Sequence, residues 1–304
     1  MCDQPPNAVS CRPNADRRPP NAISSPLAIF AAMHAFQKHR VAAAIISYHP
    51  PEVLAGRLQL LREAGIHVYL WENSQTPAAA EQNAHELLNK GQANAGLGPS
   101  LSTLLEHARQ AGFEKLLYFD QDTAFTAESL KFIADFLEAG HYTPEFAAIR
   151  FAEEAHSLAG KARPQPQRLL LSSGMLFQLS ATVRHDPSFF VEGVDYQYCL
   201  DATVKGYKLG LVGCDGILHE SVQPEELYTA GLFKKAYRPY PTRRNLEMTK
   251  AYLRLLGRAI RHGQPSHALR FWKFLFNHWR LRTAMLPFRL LHALGLAERT
   301  QLTT

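Results

Sequence analysis

The sequence predicts an α/β fold with a mostly parallel central sheet, extended at its C-terminal end by basic helices. Three observations predict it. First, from Val41 onward, short apolar runs alternate with amphipathic stretches of helical period, and the order β-α-β-α-β implies parallel strands with helices on the sheet faces. Second, the chain has 304 residues, 46% of them apolar, which is ample for a real core. Third, charge is distributed unevenly: residues 231–304 hold 15 Lys and Arg against two acids, Glu247 and Glu298, whereas the preceding 230 residues are net acidic.

In chain order, residues 1–40 carry "PPNA" twice and read as a proline-rich, disordered segment outside the fold. Met33, close to the first convincing strand, offers an alternative natural start. The strand "VAAAIISY" (41–48) follows, then a helix bearing Leu54, Leu58 and Leu61, then the strand "IHVYLW" (66–71). Leu101, Leu104, Leu105 and Ala108 mark a second helix, and "KLLYF" (115–119) a third strand. Thr126 is placed to cap a helix whose Leu130, Ile133, Phe136 and Leu137 form one stripe, and Gly140 to end it. The expected division is a segment 1–40, a catalytic domain 41–230 and a helical extension 231–304.

Four cysteines without a CxxC pair argue against a disulfide framework or a zinc ribbon and fit a reducing cytoplasm. No apolar run approaches the ~20 residues that cross a bilayer, and the N-terminus lacks the order of a secretion signal. The expectation is a cytoplasmic protein, with a peripheral position at the inner membrane as the variant that the tail suggests.

"LLYFDQDTAF" (116–125) runs an apolar strand straight into two aspartates. Two carboxylates at the end of a buried strand repel one another and are costly to desolvate, and a divalent cation answers both objections. In an extended segment Asp120 and Asp122 face the same side, at the carboxyl edge where open α/β sheets bind ligands. Read without further context, Asp122 could equally cap the next turn.

"ISYHP" (46–50), "WENS" (71–74), "NAGLG" (94–98) and "YFDQDT" (118–123) stand in an order and spacing that resembles the nucleotide-sugar-dependent glycosyltransferases of family 2, and more specifically their rhamnosyltransferase branch. The resemblance continues through "LLLSSGMLF" (169–177), "FFVEGVDYQYCLDATVKGYKL" (189–209), "GILHES" (216–221) and "YPTRRNL" (240–246), and covers about residues 41–255. It implies a GT-A-like domain that binds a nucleotide-sugar donor with Mg²⁺ or Mn²⁺ and transfers the sugar with inversion. A glycan or a lipid-linked saccharide is the implied acceptor.

Carried over residue by residue, the resemblance makes Asp122 the metal ligand, with Asp120 at the ion or the ribose and His219 completing the metal site. It makes Asp195 the catalytic base, and Tyr48, Glu72, Asn73, Asn94, Arg243 and Arg244 donor-binding residues. Glu72 replaces a family aspartate that hydrogen-bonds the base. Gln197 and Asp201 depart from the family pattern, which leaves acceptor contacts open, and the sequence does not choose between Arg243 and Arg244. Ordinary structural roles compete with each assignment: a turn after a strand for Glu72 and Asn73, a helix start for Asp195, a solvated basic helix for the arginines. Residues 268–296, aromatic, basic and amphipathic, suit either an anionic membrane surface or packing on the domain.

Two other classes compete. A haloacid-dehalogenase-type phosphatase also uses D-x-D after an apolar strand, but Ala124 fills the position where its pattern needs threonine or valine. A basic membrane- or nucleic-acid-binding module would use the tail alone. No nucleic-acid signature is present, and the acidic first 230 residues would repel a polyanion.

Overall fold

The computed structural model describes residues 26–74, 83–153, 163–219, 225–230 and 233–302. The elements run α1 (Pro26–Lys38), β1 (Val41–Ser47), α2 (Leu54–Glu63), β2 (His67–Glu72), β3 (Glu86–Leu88), α3 (Leu97–Gln110), β4 (Lys115–Asp120), β5 (Thr123–Ala124), α4 (Ala127–Glu138), β6 (Phe146–Ala152) and β7 (Gln165–Gln167). They continue with β8 (Met175–Gln178), α5 (Val194–Val204), β9 (Lys208–Gly213), β10 (Leu218–His219), β11 (Glu225–Ala230), β12 (Phe233–Tyr237), α6 (Thr242–Arg261), α7 (Pro265–Ala293) and β13 (Glu298–Leu302).

Among the described residues the main sheet has eight strands in the order β3-β2-β1-β4-β8-β6-β9-β7. β1 pairs in parallel with both β2 and β4, β2 with β3, and β6 with β9, while β8 is antiparallel to β4 and β6, and β7 to β9. Six of the eight strands therefore share one direction. β1 and β6 are buried along their whole length, which accounts for their unbroken apolar sequences. One core lies on each face of this sheet, one against α3, α5 and α6 and the other against α1, α2 and α4.

The boundary expected at residue 40 is corrected. α1 packs Ala32, Ala35 and Phe36 into the core at i, i+3 and i+4, and Lys38 and His39 both reach Glu138 of α4, at 2.7 and 3.0 Å. The folded unit thus includes residues 26–40, and residues 1–25 lie outside the described residues. Met33 lies inside α1 with its side chain against Gly65.

The boundary at 230/231 also moves. β11 pairs with both β12 and β13, so a three-stranded sheet joins the two sides of that cut. Leu255 and Ala259 of α6 and Phe271 of α7 belong to the main core. The C-terminal helices are an integral layer.

Polar pinning accompanies this packing. The Arg258 guanidinium on α6 donates to Asp201 through Nε (2.8 Å) and Nη2 (2.6 Å) and to Asp186 through Nη1 (2.9 Å). Gln197 closes the network, donating to Asp201 at 2.7 Å and accepting from the Asp186 backbone N–H at 2.8 Å. Gln197 and Asp201, the two departures from the family pattern, therefore clamp α5 to α6. Arg258→Ala leaves Asp201 without its cation in a nearly dry setting and is expected to cost about 3 kcal/mol, read as a lower denaturation midpoint at unchanged slope.

Candidate active site

The carboxyl ends of β1, β2 and β4 lie on one edge of the sheet, and each carries residues singled out in the sequence. β4 ends at Asp120, and a turn at Gln121 and Asp122 follows where the sequence suggests continued extension. The turn has a defined purpose: the Gln121 side chain accepts from the Tyr48 N–H (2.8 Å) and donates to the Tyr48 carbonyl (2.9 Å), clasping the end of β1 to the end of β4. Arg57 also donates to the Gln121 carbonyl. Tyr48 is thereby held at the edge with its side chain exposed. Asp122 does not cap α4, because Thr126 does, in a reciprocal capping box with Ser129.

β5 emerges from this turn and pairs antiparallel with β10, placing His219 opposite Thr123. That ribbon brings His219 to the aspartates. Its Nδ1 stands 3.4 Å from an Asp122 oxygen, 3.8 Å from an Asp120 oxygen and 3.1 Å from the Thr123 hydroxyl. One ligand atom from each of Asp120, Asp122 and His219 fits within 4.8 Å of the others. With metal–ligand bonds of about 2.1 Å, two ligands of one ion stand at most ~4.2 Å apart, so a slight closing of the three side chains would let them hold a cation. The donor set, two hard carboxylates and one imidazole, suits Mn²⁺ better than Mg²⁺.

Each of these groups is braced. The buried Tyr118 hydroxyl donates to Asp120, and the Asp120 N–H donates to Ser173 Oγ at 3.0 Å. Thr123 shares a hydrogen bond with the same serine. Burial raises the Asp120 carboxyl above its ordinary value and the Asp122 charge adds to this, against the opposing charges of His219 and Arg150 and the Tyr118 hydrogen bond.

Asp195 occupies the first turn of α5, where the helix dipole favours an acid. Its carboxylate is not turned back on its own helix: Ser172 Oγ donates to it, and Ser172 and Ser173 are adjacent, so one serine pair serves both Asp195 and the end of β4 at Asp120. The Arg150 Nε donates to the Ser173 carbonyl at 3.0 Å and fixes this pair from beneath. Gly174, at φ +76°, makes the turn possible, since a Cβ there would stand 2.4 Å from the Phe151 carbonyl oxygen. Burial pushes the Asp195 carboxyl up to about 6, Asp120's charge adds to the rise, and the Ser172 hydrogen bond opposes it. A carboxyl poised there accepts a proton readily at neutral pH.

The remaining expected donor residues divide. Glu72 is fully buried, one oxygen accepting from the Ser74 N–H (2.7 Å) and the other, Oε2, without a hydrogen-bond partner. Asn73 braces the chain around it. Its Oδ1 accepts from Trp71 Nε1 (3.0 Å) and the Ala95 N–H (3.0 Å), its Nδ2 lies 3.4 Å from Ser100 Oγ, and only 4% of it is exposed. Asn94 is exposed and accepts from the Gly96 N–H at 2.8 Å, shaping the turn into α3. Of the two arginines, Arg243 is 88% exposed and pairs with Glu247, whereas Arg244 bonds Glu192 at 2.7 Å, three residues before Asp195, and lies over the Tyr240 ring.

Sequence reasoning assigned no role to Ser172, Ser173, Gln121, Tyr118 or Arg150. Arg150 leaves a readable signal, a single charge inside the buried strand "FAAIRFA". The serine pair leaves none beyond its place before Gly174.

No protein-family model matches the chain, and no curated protein matches it. Solved structures do. Glucosyl-3-phosphoglycerate synthase from Mycobacterium tuberculosis in complex with Mn²⁺, UDP-glucose and phosphoglyceric acid aligns over 67% of this chain and 78% of its own, at 12% identity and a TM-score of 0.44. The same protein with Mg²⁺ and UDP aligns over 64% and 75%, at 12% identity and a TM-score of 0.43. A mycobacterial protein covers 74% and 89%, at 9% identity and a TM-score of 0.41. At this level of similarity neither fold nor activity transfers from those proteins to this chain.

Proposed function

We propose that the chain is a metal-dependent, inverting glycosyltransferase that uses a nucleotide-sugar donor in a GT-A-like domain. The observation that carries this reading is the convergence of Asp120, Asp122 and His219 on one edge of the sheet, with Asp195 joined to them through Ser172 and Ser173. The motif order that resembles family 2 supports it independently.

Held by Asp120, Asp122 and His219, Mg²⁺ or Mn²⁺ would supply Lewis-acid stabilisation of the departing diphosphate. Asp195 takes the proton from the acceptor hydroxyl as that oxygen attacks the anomeric carbon from the opposite face, and one carboxylate suffices for an inverting displacement. The unpartnered Oε2 of Glu72 offers an acceptor to the imino N–H of a uracil, thymine or guanine base once the donor opens a path to it. Tyr48 and Asn94 flank the same edge, and Arg244 stands ready to exchange Glu192 for a phosphate. The sequence resemblance further suggests a deoxyhexose donor, dTDP-rhamnose, and a glycan or lipid-linked saccharide acceptor in cell-surface polysaccharide synthesis.

The test is nucleotide release from thymidine-, uridine- and guanosine-linked sugars, with Mn²⁺ and with chelator. Metal-dependent release from at least one donor is expected, with dTDP-rhamnose preferred. Release that is indifferent to chelation, or none with any donor, rejects the reading.

A further inference from the structure

We propose that the outer face of α7 is a docking surface for an anionic lipid bilayer. The helix buries Phe271, His278 and Met285, at seven-residue intervals, against the rest of the protein. A second apolar stripe, Leu269, Trp272, Phe276, Trp279, Leu286 and Leu290, follows the same alternating spacing and stays exposed, each residue between 47% and 62%. Six large apolar side chains aligned in water call for an occupant.

Charge decides which one. α7 holds Arg270, Lys273, Arg280, Arg282 and Arg289 and no Asp or Glu over its 29 residues. Arg282 is engaged with Asn245 of α6, and Arg270, Lys273 and Arg280 are exposed beside the apolar stripe. A second copy of the chain laid against this face would set the same cations against one another with no carboxylate on either helix, and the only acid of the adjoining α6, Glu247, already pairs with Arg243. Anionic headgroups supply the missing counter-charge, and indole rings settle at the boundary of headgroup and acyl chain. No helix among the described residues is long and apolar enough to cross a membrane, so α7 lies along the surface.

This surface adjoins the candidate site. Arg282 ties the middle of α7 to Asn245, next to Arg244, which pairs with Glu192, three residues before Asp195. A bilayer under α7 would therefore present a lipid-borne acceptor close to the catalytic edge. The docking itself requires no turnover, so its test stands apart from the activity.

The full chain is mixed with vesicles of pure phosphatidylcholine and of phosphatidylcholine with phosphatidylglycerol, and read by co-sedimentation and tryptophan emission. Two of the three tryptophans lie on the stripe and Trp71 is buried, so a blue shift reports the stripe directly. Binding with a blue shift is expected on the anionic vesicles, weakened by salt and slight on the neutral ones. Trp272→Ala with Trp279→Ala, and separately Lys273→Glu with Arg280→Glu, are each expected to weaken sedimentation about tenfold or more with unchanged circular dichroism. Wild type left in the supernatant at millimolar anionic lipid overturns the proposal, as does equal binding by both variants. A dimer in sedimentation velocity that dissociates in the tryptophan variant assigns the face to a second copy instead and overturns it as well.

Discussion

Asp195→Asn is expected to lower sugar transfer by about 10²- to 10⁴-fold while leaving Mn²⁺-dependent donor binding within a few-fold. The substitution keeps the side-chain shape and an oxygen for the Ser172 hydroxyl to reach, and it removes only the capacity to take a proton. The wild-type pH profile should agree. With the carboxyl pushed up to about 6, kcat/KM should fall as pH drops below that value with the slope of one proton, and the Asn variant should lose this limb.

Stability gives an independent sign. A carboxyl whose folded value is raised favours the fold at low pH, and that contribution disappears as pH rises through about 6, because ionising the buried group then opposes folding. The variant carries no such burden. It should match wild type in thermal unfolding near pH 4 and exceed it by about 1–2 kcal/mol near pH 8, the partial exposure of Asp195 keeping the difference modest. A residue whose removal stabilises the protein and abolishes turnover is held for chemistry. Normal transfer by Asp195→Asn, or lower stability at every pH, rejects that role.

The strands and helices of the first half were legible because their patterns are local. β1, β2 and β4 are apolar runs of strand length, and the Thr126 cap and the Leu130–Leu137 stripe announce α4. What the sequence hid is non-local. The direction of β8 depends on its partners β4 and β6, which no period records. α1 shows core spacing at Ala32, Ala35 and Phe36, yet the proline-rich run before it dominates the composition.

The site divides in the same way. Asp120 and Asp122 announce themselves by sitting at a strand end. His219 reaches them from 96 residues beyond Thr123 through a two-residue ribbon, and only the family resemblance anticipated it. For Asn73 the family resemblance implies donor contact, and nothing local shows that Trp71, Ala95 and Ser100 converge on it. Asp201 gave no hint of Arg258, 57 positions away.

The metal assignment predicts the other large loss. Asp122→Asn should weaken Mn²⁺ binding in the presence of nucleoside diphosphate by about tenfold or more, because the amide keeps an oxygen donor but removes a full negative charge from beside the ion. His219→Asn should act differently on the two cations. Imidazole is an acceptable donor for Mn²⁺ and a poor one for Mg²⁺, so its loss should cost Mn²⁺ affinity more than Mg²⁺ affinity and narrow the preference between them. Thr123→Val separates ligation from support. It removes the hydroxyl that bonds Ser173, the residue that also receives the Asp120 N–H, leaves all three candidate ligands in place, and should weaken metal about 10- to 100-fold with either cation. Titration calorimetry reads each affinity, and the spin-echo modulation of bound Mn²⁺ reports whether a ring nitrogen coordinates it. Because Asp120 and Asp122 repel one another when no ion is present, Asp122→Asn should also lose no thermal stability in chelator, whereas metal should raise the melting temperature of wild type alone. Wild-type protein that takes up neither cation with nucleotide, or a nitrogen modulation that survives His219→Asn, would show that this carboxylate and imidazole cluster serves some other end.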